Sequence, residues 1–251
     1  MKNNNWYPWV VVGLLWVVAL LNYMDRQMLS TMQEAMKIDI SELNKAEAFG
    51  ALMAVFLWIY GFMSPISGMI ADRLNRKWLI VGSLFVWSTV TYLMGYADSF
   101  QELYWLRALM GISEALYIPS ALSLIADWHQ GKSRSLAIGI HMTGLYVGQA
   151  VGGFGATIAA TFSWHSTFHW FGIIGIAYSL ILMFALRENP AHNIKRQISQ
   201  LIIQKRKSLC LADYLFFSQH GLFGSFFSIL PHPVFPDGQQ KTGYPHYFPR
   251  H

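Results

Sequence analysis

Four ionisable residues stand inside long apolar runs. "LNYMDRQMLS" at 21–30 follows "WVVVGLLWVVAL" and sets Asp25 beside Arg26. "LYWLRALMGISEALYIPSAL" carries Arg107 and Glu114, seven residues apart and so on nearly the same helical face. In a bilayer each unpaired charge costs roughly 2.5–3.5 kcal/mol at a helix centre, and the four together roughly 10 kcal/mol or more. They must therefore face a bundle interior or a wet cavity, partnered with one another. Guanidinium groups can recognise an anion there, and carboxyl groups can carry a proton. Burial among apolar walls drives a carboxyl toward its neutral form, and a nearby arginine drives it back. A site balanced between the two can couple a proton exchange to the binding of an anion at the arginine. The alternative is an ion-pair cluster that only fixes helix register.

Weaker candidates surround these four. Tyr23, Trp58, Tyr60 and Tyr117 either bond the hydroxyls of a sugar-like solute or pack; Tyr60 is the one taken as a solute contact. Gln149 is read as a buried amide in a span, bonding either a solute or another helix. His165 and His169 have the i, i+4 spacing of a metal pair, but no third ligand accompanies them and no metal is expected. His141 can titrate or sit satisfied in a helix. Pro65 and Pro119 lie within spans, where kinks create hinges. No Walker A loop, nucleophile elbow or zinc-protease motif occurs, so neither an enzyme nor a bound cofactor is expected.

The elements that hold these residues follow from composition. The chain has 251 residues, 54% hydrophobic and only 12% charged, against about 25% charged in soluble domains. The expected fold is all-α and polytopic in a lipid bilayer. A lone cysteine, Cys210, excludes a disulfide framework and a cysteine-rich zinc site. A bilayer core needs about 20 apolar residues per helix, and stretches at roughly 9–29, 48–70, 78–97, 102–125, 135–160 and 167–187 qualify. No A-x-A cleavage site follows the first, so it is expected to remain in the chain. Short joints predict that sequential helices are antiparallel neighbours. The mixed-charge segment 31–47 reads as a loop with Ser41 as the N-cap of the second span.

Sidedness follows from Lys and Arg. One side collects twelve: Lys2, Arg73, Arg76, Lys77, Lys132, Arg134, Arg187, Lys195, Arg196, Lys205, Arg206 and Lys207. The other has Lys37 and Lys45. The amino terminus is therefore expected in the cytoplasm, and the net charge of +5 reflects topology rather than nucleic-acid binding.

Between the second and third spans, "GMIADRLNRKWL" places Gly68, Asp72, Arg73, Arg76 and Lys77 in the pattern G-x-x-x-D-R-x-x-R-K. This resembles the cytoplasmic signature of the major facilitator superfamily. The usual glycine is replaced by Asn75, read as a residue that tolerates a left-handed backbone. A plain positive-inside loop explains Arg73, Arg76 and Lys77 but not Gly68 and Asp72. In the fifth span, "GLYVGQAVGG" puts Gly144, Gly148 and Gly152 on one stripe open to close helix approach. It resembles the superfamily's glycine motif there, with Gln149 in place of proline.

"NYMDRQMLS" with R-x-x-x-x-x-x-E in the fourth span resembles the anion:cation symporter family. The resemblance implies one half of a major facilitator fold in the inner (plasma) membrane. It also implies proton-coupled symport of a small organic anion such as a sugar acid. Arg26 and Arg107 are then anion contacts, and Asp25 and Glu114 proton carriers. The rivals are a sugar-phosphate exchanger, which leans on added basic residues, and a non-transporting membrane fragment or assembly partner.

Superfamily members have two six-helix halves with the site between them. This chain supplies one bundle at 1–190 and a basic cytoplasmic loop segment at 191–207. An irregular tail follows at 208–251, holding five of the nine prolines. Reading "DGQQKTGYPHYF" from the third base of each codon permits W-A-T-K-N-W-L-P-T-L-F, which resembles the region around the family's seventh span. A frameshift is therefore expected near 207–220; the alternative is a native soluble tail. A truncated half is expected to be inactive alone, and a second six-helix half is its expected partner.

Overall fold

The computed structural model describes residues 6–189, and these residues are helical with short joints. Helix α1 covers Tyr7–Thr31, with Pro8 in its first turn, where its missing N–H is no loss. Two short pieces follow: α2 at Gln33–Asp39 and a 3₁₀ turn at Ser41–Asn44. The second span, α3, is Ala46–Arg73 with Pro65 inside it, and α4 is Arg76–Met94. The fourth span is split into α5, Phe100–Ala115, and α6, Tyr117–Trp128. Pro119 explains that break: it cannot donate to the carbonyl of Ala115, and its ring crowds it. Helices α7, Lys132–Gly152, and α8, Gly155–Phe162, are bent 43° at Gly153 and Phe154. Helix α9 is Trp164–Ala185.

Five of these segments are long and apolar enough to cross a membrane, and the bent α7–α8 pair makes a sixth. The chain is thus an all-α bundle with the span boundaries that its apolar runs predict. Segments 191–207 and 208–251, with the expected frameshift, lie outside the described residues.

Packing bears out part of the expected neighbours, since α4 lies against α5 and α6, and α8 against α9, and corrects the rest. Helix α1 packs chiefly on α7, α3 on α5, and α4 on α9. The first and third of these join spans far apart in sequence, and spans one and two are not a main pair. Short joints fix the sense in which helices run, whereas small residues fix which ones touch. A Cβ on Gly144 would lie 2.6 Å from the carbonyl oxygen of Trp16 on α1, and Gly148 and Gly152 abut Leu20 and Met24 in the same way. Gly111 on α5 faces the carbonyl of Phe56 on α3, at 3.0 Å. Gly172 on α9 meets Tyr92 on α4. Between apolar helices in lipid, close backbone approach is what distinguishes one partner from another.

Two local expectations are also corrected. Ser41 opens the 3₁₀ turn; the residue before α3 is Lys45, which makes no side-chain cap. The chain finishes one turn of helix after Ile40 before it can enter the span. Asn75 is extended (φ −68°, ψ 116°), not left-handed, and its side chain accepts a hydrogen bond from the Trp78 amide at 3.1 Å. Asparagine there supplies an N-cap, something the usual glycine lacks a side chain to do.

Candidate functional site

Two spans carry the four predicted charges and a third lines them with aromatic rings. Asp25 and Arg26 lie in the last two turns of α1, Arg107 and Glu114 on α5, and Phe56 and Tyr60 on α3. The α5 spacing of two turns aims Arg107 and Glu114 to the same side, toward α1 and α3. Arg26 Nε donates to Glu114 Oε2 at 2.8 Å. The Glu114 side chain is fully buried and that of Arg26 is 19% exposed. Asp25 accepts from Thr91 Oγ1 of α4 at 3.2 Å and is within Coulomb range of Glu114 and Arg107.

Arg107 is different. It is 1% exposed, makes no salt bridge among the described residues, and bonds only the Met110 sulfur, at 3.1 Å from Nη1. Its Nε has no partner. Arg26 Nη2 and Glu114 Oε1 are likewise buried without one. The remaining faces of the guanidiniums meet aromatic rings. Arg26 lies 5.0 Å from the Tyr23 ring centroid, 4.8 Å from Phe56 and 4.6 Å from Tyr60. Arg107 lies 4.4 Å from the same Phe56 ring. Cation–π attraction in a dry site stabilises each such contact by about 2 kcal/mol. The cluster therefore holds one guanidinium that is paired and partly exposed, Arg26, and one that is neither, Arg107.

Other predicted residues divide. Tyr60 and Tyr23 join the cluster through Arg26. Tyr117 does not: its hydroxyl donates to the Leu15 carbonyl at 2.8 Å in the core. Trp58 faces away and lines an open apolar recess of about 500 Å³ with Phe62 and Leu57. Gln149 is exposed rather than buried. With Gly148 turned to α1, the next residue sits about 100° around the helix, off that interface. His165 and His169 diverge: His165 lies 3.9 Å from Asp39, and His169 Nδ1 is 3.1 Å from the Tyr92 carbonyl, between the Tyr92 and Tyr96 rings. No group of metal ligands gathers among the described residues. His141 is buried against Tyr117.

At the far end of the bundle, Asp72 and Arg73 close α3, exposed, with Gly68 one turn before them. Lys77 lies over the Trp78 ring at 5.3 Å. Arg76 pairs with Asp127 and donates to the Ser123 carbonyl at 3.2 Å, tying the α3–α4 joint to α6. The sequence reading does not include Asp127 or Phe56. Asp127 leaves a signal, since it is the acid that closes the fourth span on the basic side. Phe56 leaves none, being one phenylalanine among seventeen.

Comparison with known proteins gives a consistent answer. Residues 15–243 match the Major Facilitator Superfamily. Protein spinster homolog 1 of Xenopus tropicalis is 30% identical over 195 residues, which covers 74% of this chain and 36% of that protein. The probable galactarate/D-glucarate transporter GudP of Escherichia coli (strain K12) is 29% identical over 198 residues, 76% of this chain and 43% of the relative. The 4-hydroxybenzoate transporter PcaK of Pseudomonas aeruginosa is 26% identical, with 76% and 42% covered. In the crystal structure of a bacterial homolog to the human lysosomal transporter Spinster, inward-facing and unoccupied, the matching part has a TM-score of 0.65 and 28% identity, over 76% of this chain and 44% of that one. The chain spans less than half the length of these relatives.

Proposed function

The chain belongs to the Major Facilitator Superfamily, and from that premise we propose that it is the amino-terminal half of a proton-coupled symporter for a small organic anion such as a sugar acid. Arg107 carries this reading: a guanidinium sealed inside a membrane bundle with no carboxylate partner, beside a second one that has its own. Glu114 and Asp25 act on Arg107 by Coulomb attraction, but among the described residues no carboxylate pairs with it; a buried cation left so is costly, and a solute carboxylate is the group that relieves it. Arg26 and Tyr60 then border the entrance, and Glu114 and Asp25 carry the proton. If the solute draws on Arg26, the Glu114 carboxylate loses its counter-ion and takes up a proton in its place. The relatives named for galactarate/D-glucarate and 4-hydroxybenzoate support a carboxylate as the recognised group. Among the described residues no lysine is bonded or paired within the cluster, so the added basic residues expected of a sugar-phosphate exchanger are not seen there.

The Lys and Arg distribution supports a cytoplasmic amino terminus in the inner membrane, with Gly68, Asp72, Arg73, Arg76 and Lys77 at the cytoplasmic face as a conformational latch. Gln149, exposed on α7, is placed to meet a solute or a second half rather than its own bundle. The test is co-expression with a carboxy-terminal six-helix half from a relative, followed by uptake of labelled D-glucarate and 4-hydroxybenzoate under an imposed pH gradient. Uptake that appears with the second half and is lost in Arg107→Ala supports the reading. Uptake unchanged in Arg107→Ala and Glu114→Gln overturns the assigned roles.

A further inference from the structure

Two arginines from different helices share one aromatic ring. Arg26 of α1 and Arg107 of α5 place their guanidinium carbons 4.8 Å and 4.4 Å from the centroid of Phe56 on α3. The ring is 2% exposed and stacks on Tyr60, 5.8 Å away. Its backbone is closely packed as well: a Cβ on Gly111 of α5 would lie 3.0 Å from the Phe56 carbonyl oxygen, a tight contact. Two like charges this near one another repel, and Phe56 is the ring that both of them touch. An arene does what an aliphatic side chain of equal bulk cannot, because its negative face attracts both cations.

We propose that Phe56 is a positioning residue of the anion site. It fixes Arg107 away from Glu114, so that Glu114 pairs with Arg26 alone and Arg107 remains open to a solute carboxylate. Without the ring, Arg107 can rotate toward Glu114, and the two arginines then compete for one carboxylate. This rests on reading the charged cluster as the solute site. The placement of the arginines can nevertheless be measured with no solute present.

The experiment labels the full chain in lipid nanodiscs with phenylglyoxal, which modifies accessible guanidinium groups, and maps the products by mass spectrometry. Arg73 is exposed and serves as the positive control. Arg107 in the unaltered chain is expected to resist modification. In Phe56→Leu its labelling rises roughly thirtyfold, the factor that corresponds to losing a desolvated cation–π contact. Phe56→Trp, which keeps an arene, restores protection. Trifluorophenylalanine at 56 keeps the shape but removes the negative face, and it is expected to behave like Leu. Should the trifluoro ring protect Arg107 as well as phenylalanine does, the ring is only filler and the proposal is overturned. The same conclusion holds if Trp labels like Leu. A second arm adds D-glucarate or 4-hydroxybenzoate to the unaltered chain and to the frame completed by a second half. Absence of binding there counts against the carrier reading and leaves the labelling result standing on its own.

Discussion

At the scale of single residues, the site is a problem of uneven pairing. Two acids and two arginines make a neutral set, yet only one pair meets at hydrogen-bond distance, Arg26 with Glu114. Neutralising one partner of a buried pair strands the other, which costs about 3–5 kcal/mol. Glu114→Gln is therefore expected to lower the thermal stability of the purified chain, as is Arg26→Gln. The double variant should recover part of that loss, with a coupling of roughly 0.5–3 kcal/mol in a double-mutant cycle. Strict additivity of the two single changes would contradict the pairing. Arg107→Gln is expected to cost less, because it breaks no hydrogen-bonded ion pair and relief of a buried charge offsets the lost contact with Phe56: stability changes little while anion binding is lost. A clear fall in stability would mean that Arg107 is held by something other than Phe56 and Met110. The four charges were legible in the sequence because charge inside an apolar run is conspicuous. Phe56 was not, since an arene beside apolar neighbours reads as packing until two cations are seen on it.

At the scale of elements, the apolar runs announce the six spans and glycines decide how they assemble. Chain order suggests that α1 should lie against α3, yet Gly144, Gly148 and Gly152 draw α1 onto α7 instead. A glycine stripe in a sequence says that some backbone comes close; it does not name which. That is why the spans were readable and not all of their partners were. Gly148→Leu is expected to force α1 and α7 apart, because even its first carbon meets the Leu20 backbone. Overpacking of this kind costs about 1–3 kcal/mol. Gly139→Ala on the same helix meets nothing within 4 Å and is the control, expected to be neutral or slightly stabilising. Equal melting temperatures for the two variants in nanodiscs would show that the stripe is not what selects α7. The Arg76–Asp127 pair works at the same scale, since it joins the α3–α4 turn to the end of α6. Arg76→Ala is expected to loosen that end of the bundle, seen as faster amide exchange around Ser123, while Arg73→Ala at the exposed end of α3 leaves it unchanged.

At the scale of the whole molecule, the proposed reading makes the described six-span bundle one wall of a carrier. Its charged cluster is reached from outside mainly through Arg26, since Asp25, Arg107 and Glu114 are all buried. Helix α3 keeps a broad face of large apolar side chains uncovered, with Leu57, Trp58, Phe62 and Met69 all exposed. In lipid that face is tolerated, so exposure alone does not say whether hydrocarbon or protein lies against it. Alternating access does separate the cases, because it needs one bundle to rock against another around a shared site. On the proposed reading, the described bundle offers an anion Arg107 but only one of the two walls that such rocking needs. The chain by itself is therefore expected to bind D-glucarate or 4-hydroxybenzoate weakly and to show no uptake above empty vesicles under a pH gradient. Adding a carboxy-terminal half should raise uptake without any change in the residues of this chain. Robust gradient-driven uptake by the chain alone would mean that two copies supply both walls. In that case cross-linking through cysteines placed at Trp58 and Phe62 should trap a dimer and stop transport, and failure to trap one would return the second wall to a different chain.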